Sequence, residues 1–178
     1  MRRMFRRQIR KTLAQEVPPI LQEANFAFDK GEYGRAAELF EQIAQTAAAR
    51  GGPRSSLFYL QAGRARILAG QIQLGMPALK RGLELLAQRG QFPRLQQAGM
   101  RVIAELNQRG LKNEASEMEA WLKTVLPSVP SIAPVPKRPV LPTHCPSCGA
   151  ALRPDEVEWL DEVTAECAYC GSPVRAEH

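Results

Sequence analysis

Cysteine is missing from the first 144 residues of this 178-residue chain, and all four cysteines fall within the last 34. A disulfide framework is therefore excluded for most of the protein. Four clustered cysteines in an intracellular chain point to metal instead. No apolar run approaches the roughly 18 uninterrupted residues that a membrane span needs. No apolar segment follows the basic N-terminus to make a secretory signal. The expectation is a soluble, cytoplasmic protein without a transmembrane segment. Phosphate-cradling loops are absent as well, with neither G-x-x-x-x-G-K nor G-x-G-x-x-G behind a strand. Histidine is limited to His144 and His178, neither of them near a plausible nucleophile. Carboxylates cluster toward the C-terminus, as a solvated acidic surface. A hydrolase or transferase needs general acid–base groups that do not assemble here, so the protein is not expected to be an enzyme.

Leucine, alanine and isoleucine are plentiful enough for a core of helices, and the length suits one mid-sized domain, alone or with a small module. Charge is distributed in blocks. Residues 1–11 carry Arg2, Arg3, Arg6, Arg7, Arg10 and Lys11 with no acidic residue, whereas residues 12–49 hold two basic and six acidic side chains. Residues 50–112 hold eleven basic residues against Glu84 and Glu105, a net +9, and residues 143–178 hold seven acidic residues against Arg153 and Arg175, a net −5. Such blocks bear on partners and on docking between segments. The acidic end is able to fold back onto the basic centre as an autoinhibitory lid. In the first block Met1, Met4, Phe5, Ile9 and Leu13 share one helical stripe with arginines around the rest. Residues 1–16 thus read as a basic amphipathic helix. It suits an anionic membrane surface (through residues 1–15), nucleic acid, an acidic partner, or docking on the helices that follow. In a eukaryotic chain the same pattern has the look of a mitochondrial transit segment.

From residue 17 to 126 every periodic pattern is helical, and no strand is expected there. Ala36, Leu39, Phe40 and Ile43 stand at i, i+3, i+4 and i+7, and Ala115, Met118, Leu122 and Val125 further on at i, i+3, i+7 and i+10, again one helical face. Asn113 is the expected N-cap of that last helix, and Ser55 or Ser56 opens the helix through Leu57 and Leu60. Pro77 suits a first helical turn, which puts a short loop in "QIQLGMPAL" before it. Glycines at 31, 70 and 110 punctuate these patterns at intervals of 39 and 40 residues, and Pro53, Pro93 and Pro127 follow in turn. Such spacing is the mark of a repeat.

Gly31, Tyr33, Ala36 and Phe40 match the tetratricopeptide repeat family in order and spacing, and Gly110, Ala115 and Pro127 match it again. The middle unit departs from the pattern, and the first two units exceed the family's usual period. Residues 20–126 resemble that family, or else form an unrelated bundle of helical hairpins. The resemblance implies stacked antiparallel hairpins with one shared core and a concave face made by the first helix of each unit. That face carries Tyr59, Gln61, Arg64, Arg66, Arg94, Gln97 and Arg101, a candidate surface for a protein or peptide partner or simply a solvated basic face. Residues 127–142 contain six of the fourteen prolines and form an extended linker.

Residues 143–178 hold Cys145, Cys148, Cys167 and Cys170 in the order C-x2-C-x18-C-x2-C. Two residues between paired cysteines let both thiolates turn toward one centre. Gly149 and Gly171 permit the positive φ that such a turn needs. Four thiolates complete a tetrahedral site with no open position, so one structural zinc is expected. The pattern resembles the zinc ribbon family, which joins two such knuckles by short strands. Here Val157 and Trp159 alternate with Glu156 and Glu158, and the chain turns near Asp161 and Glu162. Trp159 and Tyr169 are expected to make a small core or part of a contact face. Rubredoxin-like iron uses similar knuckles with a longer segment between them. Two disulfides need an oxidising compartment, and His144 is a surface histidine beside a ligand rather than a ligand itself. The expected architecture is all-α helical-hairpin repeats plus a small β zinc ribbon. The function read from it is a non-catalytic adaptor for protein partners, the alternative being a nucleic-acid-binding, transcription- or translation-associated regulator that uses the basic N-terminus and basic helical face.

Overall fold

Glycine sets where the helices stop. Six helices are present among the described residues: α1 (Pro19–Asp29), α2 (Tyr33–Ala49), α3 (Ser55–Leu68), α4 (Ile72–Gln88), α5 (Phe92–Gln108) and α6 (Lys112–Val125). The computed structural model describes residues 18–126, 139–154, 157–161 and 163–176. The basic segment with Arg2, Arg3, Arg6, Arg7, Arg10 and Lys11, most of the proline-rich stretch, and His178 lie outside the described residues. After α1, α3 and α5 the chain passes through Gly31, Gly70 and Gly110 at φ 78°, 76° and 77°, a region that costs any side-chain-bearing residue. The same two bonds close each helix. Gly31 N–H donates to the Phe28 carbonyl at 3.0 Å and Glu32 N–H to the Ala27 carbonyl at 2.9 Å, and the pattern recurs at Gly70–Gln71 and Gly110–Leu111. The second donor of each pair is also the N-cap of the next helix, so paired helices turn back on each other with no slack.

This mechanism explains two departures from the sequence reading. Helix α4 starts at Ile72, directly after the Gly70 turn, so no loop is inserted and Pro77 lies inside the helix. Helix α6 starts at Lys112 with Leu111 as its N-cap, which moves Asn113 into the helix. Helix α3 opens at Ser55, as the sequence reading has it, with Arg54 as its N-cap, and Ser55 and Ser56 are buried. Ser55 Oγ donates to the Gly52 carbonyl at 2.9 Å, and Arg89 reaches the Gly52 and Pro53 carbonyls at 2.7 and 2.6 Å. Backbone approaches backbone where α3 crosses α4. A Cβ on Gly63 would lie 2.8 Å from the Leu79 nitrogen, and one on Gly82 2.8 Å from the Ser56 carbonyl oxygen.

Beyond the linker, β1 (Glu158–Trp159), β2 (Thr164–Glu166) and β3 (Pro173–Arg175) form an antiparallel sheet in the order β1-β2-β3. Glu158 faces Glu166, and Ala165 faces Val174. The hairpin from β1 to β2 turns where the sequence places it; β3 carries no alternation long enough to be read in advance. Ala165 is buried between the half-buried Thr164 and Glu166, the period-two pattern of a sheet with one covered face. What covers that face is the helical array. Leu141, Leu152, Val157, Ala165, Tyr169 and Val174 belong to one buried cluster with Leu21, Phe40 and Phe58. A second cluster runs through α4, α5 and α6 around Leu83, Leu95 and Met118. No helix among the described residues is long and apolar enough to cross a membrane.

Candidate metal centre

Each C-x2-C segment folds through the same backbone bonds. Gly149 N–H donates to the Cys145 carbonyl at 2.9 Å and Cys145 N–H to the Ala150 carbonyl at 2.8 Å. At the second segment Gly171 donates to Cys167 at 2.8 Å and Cys167 to Ser172 at 2.9 Å. Gly149 and Gly171 take φ of 74° and 76°, as the turn requires. The two knuckles face each other, and all four sulfurs lie within 4.8 Å of one another. Cys145 and Cys170 Sγ are 3.7 Å apart, and Cys148 and Cys167 Sγ 3.9 Å. A tetrahedral ion with metal–sulfur bonds of about 2.3 Å has an edge of about 3.8 Å. The donor set and its spacing therefore fit one metal ion with every position filled by sulfur.

Cys148, Cys167 and Cys170 share protons unequally. Hydrogen bonds from Cys148 and Cys167, helped by Ser172 Oγ at 3.3 Å, hold Cys170 far below the ordinary thiol range. Cys148 is pushed up by its hydrogen bond to Cys167 and by that to Cys170. At Cys167 the lowering effect of Cys148 is outweighed by Cys170 and by burial, and its thiol is pushed up to about 12. A divalent cation resolves this competition by taking all four as thiolates.

The knuckles are also the surface by which the C-terminal module meets the helices. Asn25 of α1, buried in an otherwise apolar stripe, donates to the Cys148 carbonyl at 2.7 Å. Gln22 donates to the Ser147 carbonyl at 3.1 Å. At the second knuckle, Tyr169 is buried against Phe58, with ring centroids 6.2 Å apart, and its hydroxyl accepts from Gln61 Nε2 at 2.6 Å. Arg54 reaches Glu166 at 3.0 Å and lies against Gly171. His144 stands half exposed, 3.4 Å from Asp29 and outside the sulfur cluster. Trp159 lies at the edge of the module, its indole N–H donating to the Pro154 carbonyl at 3.1 Å.

The face predicted to hold a partner is thus partly covered by the chain's own C-terminal module. Arg64 and Arg101 line one cleft beside it; Arg94 and Arg101 line an adjoining one with Arg54. Tyr59 packs along the first buried cluster. Arg66 turns the other way and clasps Glu41 of α2 through two bonds, at 2.9 and 2.7 Å. Sequence reasoning missed Asn25 and Arg153 as contact residues. A lone polar residue within the buried stripe Leu21, Ala24, Ala27 was the available signal for Asn25; Arg153 carried none. The chain matches no protein-family description, no curated protein and no solved structure.

Proposed function

We propose that the chain is a non-catalytic adaptor, in which tetratricopeptide-like helical hairpins carry a zinc ribbon docked on the face of their first helices, the two together presenting one surface to a protein partner. The observation that carries this reading is the use made of the four-cysteine site. Its sulfurs fill a tetrahedron and leave no position for a substrate, and the carbonyls of Ser147 and Cys148 are spent on Gln22 and Asn25. A site built this way holds two parts of a scaffold together. Zinc fits the donor set best: a d10 ion takes four thiolates without a redox role. Metal analysis of the purified protein tests this, one zinc per chain being expected and one iron per chain counting against it.

The adaptor reading is tested by photo-crosslinking in cells, with a crosslinking amino acid at Arg94 or Gln97, beside the module, or at the exposed Glu38 of α2. Discrete protein adducts from the first two positions and none from Glu38 are expected. The nucleic-acid reading has one observation in its favour, the arginines Arg54, Arg94 and Arg101 on one cleft, although Glu158 and Glu166 stand across it. Nucleic-acid adducts at Arg94, with binding that weakens steeply as salt rises, would replace the adaptor reading with that one.

A further inference from the structure

The four sulfur ligands are not equally sheltered. Cys145 and Cys148 are each 2% exposed and Cys167 is fully buried, whereas Cys170 is only half-buried. The first knuckle lies under α1, where Gln22 and Asn25 take the Ser147 and Cys148 carbonyls. The second enters the helices through Tyr169, which packs on Phe58 and bonds Gln61. Cys170 follows that tyrosine and shares a hydrogen bond with Ser172 Oγ at 3.3 Å. Across the gap between the knuckles, Cys145 Sγ stands 3.7 Å from Cys170 Sγ. Cys148 and Cys167 make a second facing pair at 3.9 Å, with both members buried. One sulfur is thus open to a small reagent, and a second sulfur stands close behind it.

That arrangement is what a reversible oxidation needs: an accessible thiolate, and a resolving sulfur near enough to trap the first product before it is oxidised further. We propose, resting on the zinc reading of this site, that Cys170 and Cys145 are a peroxide-sensitive pair, Cys170 being oxidised first and Cys145 closing the disulfide. The Cys170 thiolate attacks one oxygen of hydrogen peroxide; the S–O bond forms, the O–O bond breaks, and hydroxide departs, leaving a sulfenic acid. The Cys145 thiolate then attacks the Cys170 sulfur; the S–S bond forms, the S–O bond breaks, and a second hydroxide departs. The two thiolates lose two electrons, the peroxide gains them, and both hydroxides end as water with protons from solvent. Only Cys148 and Cys167 then remain as thiolates, half the ligand set that a structural zinc site uses. Peroxide is thereby converted into loss of the ion that ties the knuckles together.

The test treats full-length, zinc-loaded protein with hydrogen peroxide and follows zinc release with a chromogenic chelator. Beside it runs a mass map after cleavage at glutamate, which parts the two knuckles because Glu156, Glu158, Glu162 and Glu166 lie between them. Zinc release is expected to keep step with the loss of two thiols per chain, the first disulfide joining Cys145 to Cys170. Dithiothreitol with added zinc should restore the starting state. Two variants assign the roles, histidine being a zinc ligand in its own right. Cys170→His should slow zinc release by about tenfold or more. Cys145→His should leave Cys170 as a sulfenic acid that dimedone labels. Zinc content and circular dichroism are checked for both, and where a variant does not fold the wild-type map decides. A first disulfide between any other two cysteines overturns the proposal, as does zinc retained at peroxide levels that oxidise free cysteine. Protein that binds no zinc at all overturns the metal reading along with it.

Discussion

The core around Phe40 and Phe58 and the core around Leu83 and Leu95 are built from similar helical hairpins, yet they are closed in different ways. In the first, the helices bury ten apolar residues, of which seven are alanine. In the second, the helices again bury ten, and only Ala115 is alanine. At about 0.8 kcal/mol per buried methylene, an alanine-lined face gains far less from packing than one lined with leucine and methionine. The first half makes up the difference by borrowing Leu141 from the end of the linker and Leu152, Val157, Tyr169 and Val174 from the C-terminal module, whereas the second core is completed by helices alone, Ile67 of α3 with α4–α6. The small residues have a use as well. They keep the face of α1 and α3 low enough for the knuckles to approach it. On the proposed reading a module of this size holds its shape through a metal, so the stability of α1–α3 should depend on cysteines at least 77 residues further along the chain.

Removing the metal is the largest test of that contrast. Chelation, or Cys148→Ser, should cost the first half several kcal/mol, read as loss of amide-exchange protection in α1–α3 while α5 and α6 keep theirs. Uniform loss across all six helices would mean that the two cores are not separable. The effect carries a pH dependence whose sign follows from the thiols. Metal takes them as thiolates, and Cys148 and Cys167 hold their protons more firmly than ordinary thiols. Binding therefore releases protons, strengthens as pH rises and weakens as pH falls, which a competition titration at several pH values would show. The converse experiment is Leu95→Ala, at a fully buried position of the second core. It should cost about 2–5 kcal/mol in chemical denaturation and leave metal stoichiometry at one per chain. A smaller cost is expected from Gly63→Ala at the crossing of α3 and α4. The added methyl group meets backbone atoms within 3 Å and overpacking of this kind costs about 1–3 kcal/mol.

Local rules in the sequence carried most of the helical plan and nearly all of the sulfur site. Gly31, Gly70 and Gly110 mark the turns because the positive φ there excludes other residues, and Gly149 and Gly171 mark the knuckles for the same reason. At α4 two local signals compete and the Gly70 turn is the stronger: it fixes the start of the helix, and Pro77 is tolerated within it. Docking of the module could not be read, because its contacts join residues far apart in sequence. Asn25 meets Cys148 across 123 positions and Gln61 meets Tyr169 across 108. The charge blocks pointed to such a fold-back, but charge is the smaller part of it. The Arg54–Glu166 pair is one-third exposed on both sides and pairs of that kind contribute about 1 kcal/mol or less. The apolar cluster beneath it buries Leu152, Val157, Tyr169 and Val174 of the module, with Leu141 of the linker.

Asn25 offers the finest probe of the difference between the halves. Its amide is the one buried polar side chain of α1, and its partner is the carbonyl of a sulfur ligand, at 2.7 Å. Asn25→Ala removes the donor and strands the Cys148 carbonyl beneath the helix, which costs about 1–3 kcal/mol. Were α1 only a neighbour of the module, that loss would appear as lower stability of α1 and nothing else. If the first core and the sulfur site are one unit, the same substitution should also speed chelator-driven metal loss. The carbonyl that Asn25 holds lies in the backbone of the knuckle, and a looser knuckle releases its thiolates sooner. Amide exchange in α5 and α6, around Leu95 and Met118, should stay as it was, because those helices share no buried contact with the sulfurs. Unchanged metal loss beside a destabilised α1 would show that packing, and not the ligand backbone, carries the coupling.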